Sequence, residues 1–159
     1  MLSNPVRRLV LVAEDDTAVR ELLCLLLTSE GFEVLSAADG RRAFELFLRF
    51  SDEVAFVVTD LNMPYMDGLQ LATAVGQVRA NVPVLVVTGS GDLAGLRTSG
   101  RPYLTKPIAI ADLLAQVTVA IRPAATAARE ASQYAAPARR RPFRPGASSS
   151  RRWGTRCRR

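Results

Sequence analysis

The sequence predicts an α/β domain, a doubly wound sheet of five parallel strands with five helices, followed by a basic tail. Three observations carry this reading. Over the first 122 residues, short runs rich in β-branched side chains alternate with stretches of helical apolar period. Two of the runs, VAFVVTD at 54–60 and VPVLVVT at 82–88, are apolar without alternation, as strands covered on both faces are. The period then stops near Pro123, where the charge changes sign. Residues 1–122 hold 11 basic side chains against 14 acidic ones, a balance of −3, while residues 123–159 hold ten arginines against Glu130 alone, a balance of +9.

The elements follow in order. RLVLVA (8–13) reads as a buried first strand, ending at Glu14-Asp15-Asp16. Val19, Leu22, Leu23 and Leu26 then recur at helical spacing, with Asp16 or Thr17 placed to cap that helix. FEVLSA (32–37) is the second strand and residues 41–50 the second helix. The third strand, 54–60, closes on Asp60, and a helix covers 68–80. The fourth strand, 82–88, closes on Thr88. The stretch GDLAGLRT (91–98) is a weak helix, with glycine at both 91 and 95. RPYLT (101–105) is a short fifth strand, and Ile110, Leu113, Leu114, Val117 and Ile121 mark the last helix.

Composition narrows the function. The 159 residues suit one domain plus an extension, enough to bury a core. No apolar run approaches 18 residues, so no membrane span is expected, and the N-terminus lacks a signal-peptide pattern. Cys24 and Cys157 form neither a zinc spacing nor a disulfide framework, which favours a reducing cytoplasm. Histidine is absent, so the chain supplies no His nucleophile, general base or ligand. A metal here must be a hard ion held by oxygen.

In open α/β sheets, ligands bind beyond the carboxyl ends of the strands. Those ends collect Glu14, Asp15, Asp60, Thr88 and Lys106. Taken singly, most of the residues here have an ordinary explanation: the neighbouring Asp16 as a helix cap, Asp60 as a turn residue, Thr88 as a strand end, Lys106 as a surface charge. Their coincidence at one rim is what those explanations handle badly. Crowded carboxylates repel unless a cation sits among them, and Mg²⁺ suits one or two carboxylates plus phosphate oxygens. A Thr hydroxyl and a Lys ammonium facing the same point suit a phosphoryl group in transfer.

VLVAEDDTAVREL, VVTDLNMPYMDG, VPVLVVTG and YLTKP, in that order and spacing, resemble the signature segments of the response-regulator receiver domain over about residues 6–122. The resemblance implies a flavodoxin-like (βα)5 fold in which Asp60 accepts a phosphoryl group from a partner kinase's histidine. It implies Mg²⁺ held by Glu14, Asp15, Asp60 and the main-chain carbonyl of Asn62. Thr88 would bond a phosphoryl oxygen, with Gly89 leaving the approach open, and Tyr103 matches the aromatic switch position. Lys106 is the only lysine among 21 basic residues. A compact charge on a flexible stem reaches one oxygen where an arginine fork needs room, and the family likeness implies a cis Lys106–Pro107 bond aiming the ammonium inward. Only 18 positions separate Thr88 from Lys106, fewer than is common in receivers. The shortened form resembles receivers that stand alone or end a sensor kinase, and puts the fourth-helix dimerisation face in doubt.

The expected function is therefore a single-domain response regulator in a two-component phosphorelay, a phosphoprotein switching a downstream protein rather than an enzyme toward an external substrate. Two alternatives stay open. The tail, residues 123–159, reads either as a disordered solvated segment or as a nucleic-acid contact in which Phe143 and Trp153 stack. A small Mg²⁺-dependent phosphohydrolase would use Asp60 as nucleophile, but Asn62 stands where one large phosphatase class carries its acid.

Overall fold

The computed structural model describes residues 9–89 and 93–121. The tail reading at 123–159, the first residues of the 6–122 domain and positions 90–92 lie outside them. The elements alternate throughout: β1 (Leu9–Ala13), α1 (Thr17–Ser29), β2 (Glu33–Ala37), α2 (Gly40–Arg49), β3 (Val54–Asp60), α3 (Gly68–Val78), β4 (Val84–Thr88), α4 (Leu93–Ser99), β5 (Tyr103–Thr105) and α5 (Ile110–Ile121). All strand pairs are parallel, in the order β2-β1-β3-β4-β5.

Period-two alternation sends each strand's side chains to both faces. From β1, Val10 and Val12 pack with Leu23 and Leu27 of α1 and Leu113 and Val117 of α5. Leu11 and Ala13 pack on the other face with Ala43 and Phe47 of α2 and Leu71 and Val75 of α3. This double covering is why the strands read as unbroken apolar runs. A smaller cluster of Leu61, Val86 and Leu96 seats α4, with Tyr103 packed against it.

Strands four and five start two residues later than their apolar runs suggest, and proline is the reason in both. The Pro83 carbonyl accepts from the Val57 N–H at 3.0 Å and the Pro102 carbonyl from the Val86 N–H at 3.1 Å. Each proline can accept but has no N–H to return. Asp16 settles the choice of cap for α1: its carboxylate accepts from the Val19 N–H at 3.0 Å. Asp39 caps α2 in the same way, one residue ahead of expectation. The third helix stops at Val78, where Arg79 turns extended. The weak fourth helix forms as two turns, Leu93–Ser99, ended by Gly100 at φ 66°.

The strand order reverses around β1 and β3, so their carboxyl ends open a crevice. Glu14, Asp15 and Asp60 converge there.

Candidate functional site

The crevice holds a buried charge cluster. Glu14, just past β1, is 1% exposed, and Asp60, closing β3, is 6% exposed. Lys106, just past β5, crosses the rim to both of them: its Nζ lies 2.9 Å from Glu14 Oε2 and 2.8 Å from Asp60 Oδ1. The backbone sets this reach, since the Lys106 N–H donates to the Thr88 carbonyl at 2.7 Å and extends the β4–β5 pairing by one residue. The Lys106–Pro107 peptide is cis.

The electrostatics are opposed. Burial raises the Glu14 pKa, the Lys106 hydrogen bond lowers it, the Asp60 charge raises it further, and the net shift is upward from 4.5. Burial disfavours charge on Lys106, yet its hydrogen bonds to Asp60 and Glu14 raise its pKa above 10.5. The ammonium therefore stays charged between two carboxylates, as a resident counter-ion.

Each carboxylate is also held from its own side. Glu14 Oε1 accepts from the Asp16 N–H at 3.3 Å. The Asn62 N–H donates to Asp60 Oδ2 at 2.8 Å. Asp15 is exposed, and a carboxylate oxygen of Glu14, of Asp15 and of Asp60 all lie within 4.8 Å of one another. Three hard oxygen donors at that spacing fit Mg²⁺. Asp16, committed to its cap, is not among them.

Thr88 is fully buried, and its hydroxyl has no hydrogen-bond partner among the described residues. An unsatisfied buried hydroxyl costs about 1–3 kcal/mol. One strand from Asp60, it is a donor without an acceptor, as a site for an incoming oxyanion requires. Tyr103 is half-buried and packed against Leu61, Val86 and Leu96. Gly89 is exposed, and a Cβ there would come 3.9 Å from the Lys106 stem.

Two contributors are not legible from residue type. Arg20 supports the acidic turn from behind, donating to the carbonyls of Glu14 at 2.7 Å and Asp15 at 3.3 Å and to Thr17 Oγ1 at 3.2 Å. Its place one turn into α1 is the signal that could have suggested this. Gly68 lies so close to the end of β3 that a Cβ would overlap the Asp60 carbonyl oxygen and come 3.0 Å from Leu61 Cα. A glycine directly after a capping Asp is the visible trace of that approach.

A groove of about 300 Å³ lies beside the cluster, lined by Val19, Leu22, Leu26, Lys106, Pro107 and Ile110 among others. Leu22 is half-exposed there. Among the described residues no helix is long and apolar enough to cross a membrane.

Comparisons with known proteins agree with this geometry. The model for the response regulator receiver domain matches residues 10–118. The response regulator MprA of Mycolicibacterium vanbaalenii is 39% identical over 122 residues, covering 74% of this chain and 51% of MprA. The chain thus spans about half the length of the curated relatives it matches. A receiver domain protein from Clostridium thermocellum superposes with a TM-score of 0.68 at 26% identity, over 79% of this chain and 98% of that one. A chain of the CheX–CheY–BeF3–Mg²⁺ complex from Borrelia burgdorferi gives 0.66 at 25% identity, over 72% and 90%.

Proposed function

The chain belongs to the response regulator receiver domain family, and from that premise we propose that it acts as a single-domain regulator phosphorylated on Asp60 by a histidine kinase or phosphotransfer protein. An Asp60 oxygen bonds to phosphorus as the P–N bond to the donor imidazole breaks. The bonding pair leaves with the ring nitrogen, and Asp60 becomes an acyl phosphate. Glu14, Asp15, Asp60 and the Asn62 carbonyl would hold Mg²⁺, which supplies positive charge against the phosphoryl oxygens.

The observation that carries this reading is the buried Asp60–Lys106 pair at 2.8 Å beside the unpartnered Thr88 hydroxyl. Together they offer a nucleophile, a movable cation and a vacant donor around one point. The phosphoryl oxygens replace Asp60 as the partner of Lys106 and give Thr88 an acceptor, with Tyr103 completing the switch. Asn62 stands where one large phosphatase class carries its acid, which favours a phosphoacceptor over an enzyme toward an external substrate. The apolar groove reaching Lys106 is where the donor would dock, and the half-exposed Cys24 thiol suits a reducing cytoplasm.

The test is incubation with acetyl phosphate and Mg²⁺ followed by mass measurement of the intact chain. Wild type gains one phosphoryl group and Asp60→Asn gains none; an undiminished adduct in the variant overturns the assignment.

The proposal keeps the division into a receiver at 6–122 and a basic tail at 123–159. The tail's charge of +9 favours one second reading, nucleic-acid contact as the output. Deleting 123–159 would then abolish a salt-sensitive DNA affinity while leaving phosphorylation intact. Absence of such affinity in the full chain at low salt removes this second reading.

A further inference from the structure

The loop from Leu61 to Asp67 carries Asn62 to Asp60 and is closed at its neck, where the Gly68 N–H donates to the Leu61 carbonyl at 2.8 Å. Its tip is tight. The Met66 N–H donates to the Pro64 carbonyl at 2.8 Å across Tyr65, which is 86% exposed and sits at φ 67°. A three-residue turn with positive φ at a bulky central residue is the rare, strained form, and it persists only where the surroundings hold it.

What holds it lies on a helix with no other part in the site. Gly40 is the buried first residue of α2, and a Cβ built on it would overlap the Met66 carbonyl oxygen and come 2.9 Å from the carbonyl carbon. The obstacle is backbone, which no rotamer change removes. The helix cannot retreat either, because Ala43 and Phe47 fix it in the core and Asp39 caps its start through the Arg42 N–H at 2.7 Å. Met63 and Met66 pack into the same cluster, so the loop is seated on α2 by side chains as well as by this backbone contact.

We propose that Gly40 is a positioning residue for the phosphoacceptor loop. Its missing side chain lets α2 seat Met66, and the seated loop places Asn62 for Asp60 and its metal ion. The inference rests on the receiver reading above. A methyl group at position 40 lifts Met66. With the neck anchored at Gly68, the displacement passes into residues 62–65 and so to the metal site.

The experiment measures Mn²⁺ affinity by electron paramagnetic resonance and metal-free thermal stability, in the full chain, for wild type, Gly40→Ala, Asp39→Ala and Gly76→Ala. Gly76 meets nothing within 4 Å and serves as the control for a helical Gly→Ala change. Gly40→Ala should weaken Mn²⁺ binding about tenfold, the scale of losing a group that orients a metal ligand. Asp39→Ala, which only loosens the start of α2, should weaken it about twofold to threefold, and Gly76→Ala should leave it unchanged. A purely structural glycine would lower stability with Mn²⁺ affinity intact. Wild-type affinity in either folded α2 variant therefore overturns the proposal, and if Gly40→Ala does not fold, Asp39→Ala decides alone. If wild type itself binds no Mn²⁺, the metal reading fails with it. Wild-type binding matched by the variants removes the role of Gly40 alone.

Discussion

The Lys106 ammonium is bonded to Glu14 at 2.9 Å, although the two residues follow β5 and β1, with β3 and β4 between them. One positive charge thus occupies the acidic crevice where a metal ion and a phosphoryl group are proposed to act. The first two predictions test that charge.

Lys106→Arg keeps the charge and changes its shape. The planar fork cannot reproduce a single contact to each of two carboxylates in a site that leaves Lys106 about one quarter exposed. The phosphorylation rate with acetyl phosphate should fall about tenfold or more, as for a misplaced transition-state donor. Circular dichroism should show the fold retained. A wild-type rate would make Lys106 an ordinary surface charge.

The alkaline limb of the stability curve should carry the Lys106 signature. Its folded pKa is raised above 10.5, so the stability this gives is complete below pH 10.5 and is lost as pH rises through the folded value. Lys106→Met lacks the cation at every pH. In denaturant melts the wild type should therefore be more stable than Lys106→Met near neutrality, and the gap should close above pH 10.5. A gap unchanged across that range would mean the lysine contributes by packing rather than by charge.

Asp15 and Asp16 are adjacent acids with different expected effects. Asp15→Ala should weaken Mg²⁺ binding, measured by calorimetry, because its carboxylate lies in the group with Glu14 and Asp60. Asp16→Ala should lower stability by about 1 kcal/mol through loss of the α1 cap and leave Mg²⁺ affinity nearly unchanged. Equal losses of affinity would place the metal elsewhere along the turn.

Thr88→Val should separate stability from function. Replacing an orphaned hydroxyl with a methyl of similar shape removes a desolvation cost, so the metal-free protein should gain up to about 1 kcal/mol. The phosphoryl adduct from acetyl phosphate should form more slowly, having lost a donor. A destabilised valine variant would reveal a partner for the hydroxyl in solution.

Much of this is legible in the sequence because strands covered on both faces leave an unmistakable trace. VAFVVTD and VPVLVVT could hardly be anything else, and once their ends are known the residues that follow them define the rim. The cap at Asp16 and the weakness of the fourth helix are local properties and read locally. Lys106 declares itself by being the only lysine. The contributions of Arg20 and Gly40 do not show. Arg20 acts on carbonyls, which every residue has, and Gly40 acts through a gap matched to Met66, 26 positions away. Residue type does not encode such contacts; only the assembled chain does. The late starts of β4 and β5 were visible in Pro83 and Pro102, where a missing donor outranks apolar character.

The reach of Lys106 also has a mechanical side. Its amide joins β4 and its ammonium joins the ends of β1 and β3, so a single residue braces four of the five strands across one end of the sheet. Only β2 lies outside the brace. It is an edge strand fastened to β1 by the backbone ladder and, at its end, by the Glu14 N–H on the Ala37 carbonyl at 3.1 Å. Whatever draws the ammonium from Glu14 removes the side-chain tie between the ends of β5 and β1, while β2 keeps its own backbone hold on both β1 and Glu14.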